Sequence, residues 1–312
     1  VDVPVGALRA ASSLLRVTPT PVAAGVSRVI AAGIAAASPD ERLIAARNMR
    51  RAHRGEHLGA MRTRLEVRRV FDSYARYWVD ALRLADLDDA TIEAGFTHDG
   101  MHHLRDAMDA GTPPILALPH LGGWEWAARW LNVQGWGVSA VVEELDQGEL
   151  YEWFVELRQG LGMQVIPLGP HASAEVAAAL AAGRIMCLLA DRDISGGGIE
   201  VEFFGERTRL PGGPALMALR TGAPLLPTSV YFRGGRCHAV IEPPLATERR
   251  GRLRDDVTRV TQDLALVMER QIRRAPAQWH LLQPNWPSDY LALGRPLPGE
   301  EPTDPDGGGS HR

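Results

Sequence analysis

The chain has 312 residues, 45% of them hydrophobic, which suffices for one large α/β domain or two smaller ones with a sizeable core. A formal net charge of -4 argues against nucleic acid as a main partner. No stretch of about eighteen uncharged apolar residues occurs, which argues against a membrane-spanning helix; the nearest, Gly25 to Ser38, is short and carries Arg28.

Residues 1–110 read as a mostly helical region packed on the core. Ser38-Pro39-Asp40-Glu41 is a helix start, with proline and acids in its first turn. Met61 to Leu84 carries apolar residues at helical spacing and aromatics at Phe71, Tyr74, Tyr77 and Trp78. From Ile115 the pattern changes to alternating strands and helices. The expected strands are Ile115–Leu118, Val138–Val142, Gln164–Pro167, Ile185–Ala190, Val201–Phe203, Leu225–Phe232 and Arg236–Ile241. The expected helices are Trp124–Asn132, Glu149–Leu161, Ala172–Ala182, Pro214–Thr221 and Arg252–Arg274. This alternation predicts an α/β fold with a mixed, largely parallel central sheet flanked by helices. Gly234-Gly235 signals a hairpin between the last two strands. The α/β core is placed at 111–293 and a disordered tail at 294–312. Cys187 and Cys237 both sit in apolar runs and read as reduced core residues.

The segment Ile115 to Glu125, ILALPHLGGWE, concentrates the chemistry. An apolar strand delivers His120 to a turn, Gly122 and Gly123 free the backbone, and a helix opens with Trp124-Glu125. A carboxylate folded back onto an imidazole fixes its tautomer and leaves the other nitrogen free to accept a proton. The expected dyad is therefore His120 as general base and Glu125 as its partner. Ligands in open α/β sheets bind beyond the carboxyl ends of strands, where His120 lies.

Further segments converge there. Glu143-Glu144 follows one strand, and Arg158 ends a helix, where it faces the negative end of the dipole or binds an anion. Asp191-Arg192-Asp193 ends another strand and reads as a hydrogen-bonded network or an anion site. Gly212-Gly213-Pro214 opens a helix whose backbone N–H groups could face an anion.

Taken in order, His120-x4-Glu125, Arg158-x3-Gly162, Asp191-Arg192-Asp193, Phe203-Phe204-Gly205-x2-Thr208 and Gly212-Gly213-Pro214-x-Leu216 resemble the bacterial lipid A lauroyl/myristoyl acyltransferase family. The resemblance covers roughly Met61 to Asp289. Within the family the chain is most similar to the actinobacterial branch acting on phosphatidylinositol mannoside, through His120-Leu-Gly-Gly-Trp-Glu125, Asp191-Arg-Asp193 and Gln283-Pro-Asn-Trp286. It departs from the lipid A members in carrying Gly123 where asparagine is common and Glu143-Glu144 where an arginine commonly stands.

The resemblance implies transfer of a long, palmitoyl-like acyl chain from acyl-CoA to a hydroxyl of a glycolipid, most closely a mannose of phosphatidylinositol mannoside. It implies no cofactor beyond acyl-CoA as co-substrate, and no metal. It suggests substrate contacts from Glu143, Arg158, Asp191, Arg192, Phe203, Phe204, Thr208, Gly212 and Gly213. An acyl slot is expected at Trp124, Trp126, Ala127 and Trp130, with the Phe203-Phe204 pair. A peripheral position on the cytoplasmic face of the plasma membrane follows from such substrates. Arg9, Arg16, Arg28, Arg47, Arg50, Arg51 and Arg54 among Ala, Leu and Val would make the N-terminal helices an interfacial anchor. The competing readings are an acyl-CoA thioesterase, with water in place of the acceptor, and a non-catalytic lipid-binding protein.

Overall fold

The computed structural model describes residues 20–298 apart from 57, 144–147 and 195, together with 6, 13, 14 and 18. Arg9, Arg16, Glu144 and the tail beyond 298 lie outside the described residues. Three helices open the chain: α1 (Thr20–Ala37), α2 (Pro39–Ala52) and α3 (Ala60–Leu84). Helix α2 starts at its proline with Asp40 and Glu41 in the first turn and ends with Arg50 and Arg51, so its charges oppose the helix dipole. The three pack around Ala31, Met49, Val70 and Phe71.

The elements that follow are α4 (Asp89–Ala94), β1 (Phe96–Asp99), α5 (Met101–Asp109), β2 (Ile115–Leu118), α6 (Trp124–Val133), β3 (Val138–Val142), α7 (Gly148–Gly160), β4 (Met163–Pro167), α8 (Ala172–Ala181) and β5 (Ile185–Leu189). Next come β6 (Ile199–Phe203), β7 (Glu206–Leu210), α9 (Gly213–Thr221), β8 (Leu225–Arg233), β9 (Arg236–Ile241), α10 (Leu253–Arg274) and α11 (Pro287–Ala292). A seven-stranded sheet runs β1-β9-β8-β2-β5-β3-β4. All its neighbours are parallel except the β8–β9 hairpin, which turns at Gly234-Gly235 as expected. The fold is therefore the mixed, largely parallel α/β architecture read from the sequence.

Two strands were not foreseen. β1 lies inside the stretch read as helical; Phe96-Thr-His-Asp99 is too short to declare a period, and only its pairing with β9 makes it a strand. β7 pairs with β6 in a separate two-stranded ladder. Its sequence, Glu206-Arg-Thr-Arg-Leu210, alternates but is mostly polar.

The central strand β2 is buried on both faces. Ile115 and Ala117 join one core cluster, with α8, α9 and α10, while Leu116 and Leu118 join the other, with α5 and α6. This is the two-residue alternation of a strand between two helical layers. At about 1.5–3 kcal/mol for each large apolar side chain removed from water, Ile115, Leu116 and Leu118 fix the strand firmly. Its exit, where His120 stands, is thus held in place. After α10 the chain turns at Pro276–Gln278 and crosses this exit, with a β-bridge between Leu121 and Trp279.

Candidate active site

β2 and β5 are parallel neighbours with Leu118 opposite Leu189. Two residues beyond each, His120 and Asp191 emerge side by side. Nδ1 of His120 lies 2.6 Å from Oδ1 of Asp191. The His120 backbone N–H donates to Oδ2 at 3.0 Å, and the indole N–H of Trp279 donates to the same oxygen at 2.8 Å. Asp191 is fully buried. Burial alone would raise its pKa, but the His120 ring and these hydrogen bonds outweigh that, so the carboxyl titrates below its ordinary value. An ionised Asp191 accepts a hydrogen bond from Nδ1–H and leaves Nε2 as the basic nitrogen. The His120 ring lines a cavity of about 600 Å³, and Nε2 has no partner among the described residues.

The expected pairing of His120 with Glu125 is not the one formed. Glu125 sits in the first turn of α6, and its carboxylate points to α3 and α7. The Tyr77 hydroxyl donates to Oε1 at 2.5 Å, and Arg158 Nη2 stands 3.6 Å from the same oxygen. Burial raises the Glu125 pKa, with Arg158 and Tyr77 offsetting part of the rise. Tyr77 is pushed well above its ordinary range, by burial first and then by the Glu125 charge. Glu125 Oε2 and Arg158 Nε are buried with no hydrogen-bond partner among the described residues. The sequence spacing was suggestive, but the carboxylate that reaches the imidazole comes from the adjacent parallel strand.

A second histidine stands behind the first. His280 donates its backbone N–H to the His120 carbonyl at 2.8 Å, and its Nε2 lies 2.9 Å from Ser73 Oγ. Burial lowers its pKa to about 3, so the ring is neutral. Gly122, between His120 and α6, has φ 60° and packs against the Val230 carbonyl, where no Cβ fits.

Two sets of residues, or limbs, line the cavity. One is polar and aromatic, with Tyr77, Trp78, Trp124, Glu143 and Arg158. The other is apolar, with Leu168, Ala172, Val176, Leu188, Leu216 and Met217. Arg192, Asp193, Gly212 and Gly213 also line it. Among the described residues no group of three or more His, Cys, Asp or Glu is arranged to hold a metal.

His120 and Asp191 both fall within the stretch that matches a known sequence family. The family model described as "Bacterial lipid A biosynthesis acyltransferase" matches residues 7–288. The chain belongs to this acyltransferase family. It is 42% identical to a phosphatidylinositol mannoside acyltransferase of Mycolicibacterium smegmatis over 227 residues, which cover 72% of this chain and 73% of the relative. A protein of the same name from Mycobacterium tuberculosis is 39% identical over 223 residues, covering 70% and 69%.

Asp191, expected to touch substrate, is instead the buried partner of His120, and several other residues expected to touch substrate in this acyltransferase do not line the cavity. Phe203 and Phe204 are fully buried against Trp279 and Trp286. The hydroxyl of Thr208 donates to the Asn285 carbonyl and ties β7 to the C-terminal crossing. Trp126 donates its indole N–H to the Ile92 carbonyl at 3.3 Å, and Trp130 stacks on Phe96 at 4.8 Å. Trp126, Ala127 and Trp130 therefore pack on the far side of α6, leaving Trp124 as the member of the expected slot that faces the cavity. Residues not foreseen include Tyr74, Tyr77 and Trp78 of α3, and His280 and Gln283. The aromatic ridge on α3 was visible in the sequence, but its contacts with Glu125, Phe154 and His280 were not. Cys187 and Cys237 are free and buried.

Proposed function

We propose that this acyltransferase moves a long acyl chain from acyl-CoA to a mannose hydroxyl of phosphatidylinositol mannoside. The observation that carries the chemistry is the His120–Asp191 pair, with Nε2 open to the cavity. Nε2 takes the proton of the acceptor hydroxyl as its oxygen attacks the thioester carbonyl; the C–S bond breaks, and the thiolate leaves and recovers the proton. Asp191 holds the ring and stabilises the imidazolium. Arg158 supplies a cation in the same cavity, suited to the charge developing on the carbonyl oxygen. The apolar limb, from Leu188 to Met217, suits the acyl chain. Glu143 suits hydroxyl groups of a sugar, since carboxylates accept hydrogen bonds from them. The names of the two relatives support the acceptor.

A lipid acceptor and a water-soluble donor favour a peripheral position on the cytoplasmic face of the plasma membrane. Val22, Val26, Val29 and Ile30 form an exposed apolar stripe along α1 at helical spacing, consistent with an interfacial helix. Among the described residues no helix is long and apolar enough to cross a membrane.

Radiolabelled palmitoyl-CoA, an actinobacterial lipid extract and the protein, beside a His120→Ala control, provide the test. Label in a phosphatidylinositol mannoside that depends on His120 is the expected result. Label released only as free fatty acid would make the protein a thioesterase. An unchanged cellular function in His120→Ala would favour a lipid-binding role.

A further inference from the structure

A second cavity, of about 580 Å³, lies between α1, α2 and α3 and shares no lining residue with the catalytic one. Its floor is apolar, with Ala31, Ala32, Ala35, Val67 and Phe71. Its rim carries Arg28, Arg42, Arg50, Arg64 and Arg68, against a single acid, Asp72. The chain as a whole is negative, so this positive charge is local. Arg42 donates to the Ala35 and Ala36 carbonyls at the end of α1, and Arg68 lies 3.9 Å from Asp72. The side chains of Arg28, Arg50 and Arg64 are exposed and have no hydrogen-bond or ion-pair partner among the described residues.

The flanking surfaces are apolar. Val29, 75% exposed, stands one turn before Ala32 on α1, and Met61, 77% exposed, stands one turn before Arg64 and Leu65 on α3. Guanidinium groups above an apolar trough complement a ligand with a phosphate at one end and hydrocarbon at the other. A free nucleotide would leave the trough and its exposed flanks unused. The groove also has a useful position on α3. Arg68 faces it, and Tyr77, which lines the catalytic cavity from the opposite face of the helix, follows by about two and a half turns, a rise of roughly 14 Å.

We infer that this groove seats one anionic phospholipid of the bilayer surface, its phosphate among Arg28, Arg50 and Arg64 and its chain over the alanine floor. The inference rests on the membrane-surface reading above and makes it specific. A lipid held there tethers the catalytic cavity near the surface from which a lipid acceptor is drawn, while remaining outside the reaction itself.

The test titrates the full chain with dihexanoyl phosphatidylglycerol below its micelle concentration. Saturable one-to-one binding is expected, at least tenfold weaker for dihexanoyl phosphatidylcholine. It should weaken at least tenfold in the triple variant Arg28→Gln/Arg50→Gln/Arg64→Gln. It should weaken similarly in Ala32→Trp, which fills the groove and keeps every charge. Absence of a saturable site, equal affinity in folded variants, or displacement of the lipid by coenzyme A would each overturn the inference. Flotation of the wild type on phosphatidylglycerol vesicles separates the two ideas. Flotation without a saturable site removes the groove and keeps the membrane reading; a saturable site without flotation does the reverse.

Discussion

Nδ1 of His120 and Oδ1 of Asp191, 71 positions apart in the chain, lie 2.6 Å from each other at the ends of adjacent parallel strands. The orienting acid thus comes from a neighbouring strand, and Glu125, five residues from His120, pairs instead with Tyr77 and Arg158, which line the same cavity. Asp191→Asn should reduce kcat about 10²–10⁴-fold, with the fold intact, because the amide favours the wrong imidazole tautomer. Glu125→Gln should cost kcat much less, since no hydrogen bond to His120 is lost. Steady-state kinetics of the two variants decide the matter. A greater kcat loss in Glu125→Gln would restore Glu125 as the histidine's partner.

Trp279 fixes Asp191 from the other side. Its indole N–H donates to Oδ2 at 2.8 Å inside the core. Trp279→Phe keeps most of the ring packing and removes this donor. A hydrogen bond to a buried charge contributes about 1.5–3 kcal/mol, so urea denaturation should show a loss of that order. We expect kcat to fall roughly tenfold through loss of carboxylate positioning, less than the about 10²–10⁴-fold that a general base itself supplies. A variant as active as the wild type would show that the two His120 contacts hold Asp191 unaided.

The buried His280 ties stability to pH. Burial lowers its pKa to about 3, whereas an unfolded histidine titrates near 6.5. The unfolded chain therefore binds this proton first on acidification. Its contribution to stability is present above about pH 6.5 and is lost as pH falls toward 3, amounting to about 2 kcal/mol lost by pH 5. His280→Asn removes that dependence. The drop in unfolding free energy between pH 7 and pH 5 should be smaller in the variant than in the wild type. Equal drops would mean that His280 is protonated in the folded protein at pH 5.

Gly122 sets the turn that presents His120. At φ 60° an alanine is strained, and its Cβ would meet the Val230 carbonyl. Gly122→Ala should cost about 1–3 kcal/mol, read as a lower melting temperature. Activity should fall further than stability alone explains, because the same turn carries the base.

The sequence made much of this legible for identifiable reasons. Strands buried on both faces, such as Ile115–Leu118, declare themselves as short apolar runs, and Gly122 and Gly123 mark the turn after His120. What it could not supply was lateral neighbourhood. The Asp191 partnership depends on β2 lying beside β5 in a particular register, which no local spacing encodes. The expected acyl slot failed for a related reason. Trp124 and Trp126 are two apart on a helix and must face different ways, so one lines the cavity and the other, half-buried, packs toward Ile92. Phe203 and Phe204 read as substrate contacts because their packing partners, Trp279 and Trp286, lie over seventy residues downstream.

If the apolar limb of the cavity holds the acyl chain, its length should be set by the side chains along it. Ala172 lines that limb from the first turn of α8 and is almost fully buried. Ala172→Leu adds three carbons inside the limb and displaces the distal end of a long chain. Each methylene denied burial costs about 0.8 kcal/mol of binding, so losing two or three lowers kcat/KM for palmitoyl-CoA by about 10–50-fold. Decanoyl-CoA, which ends sooner, should be used nearly as well as by the wild type. The ratio of kcat/KM for the two donors measures this directly, independently of enzyme concentration. A ratio unchanged in Ala172→Leu would place the acyl chain elsewhere in the cavity, along Trp78 and Trp124 on the aromatic side.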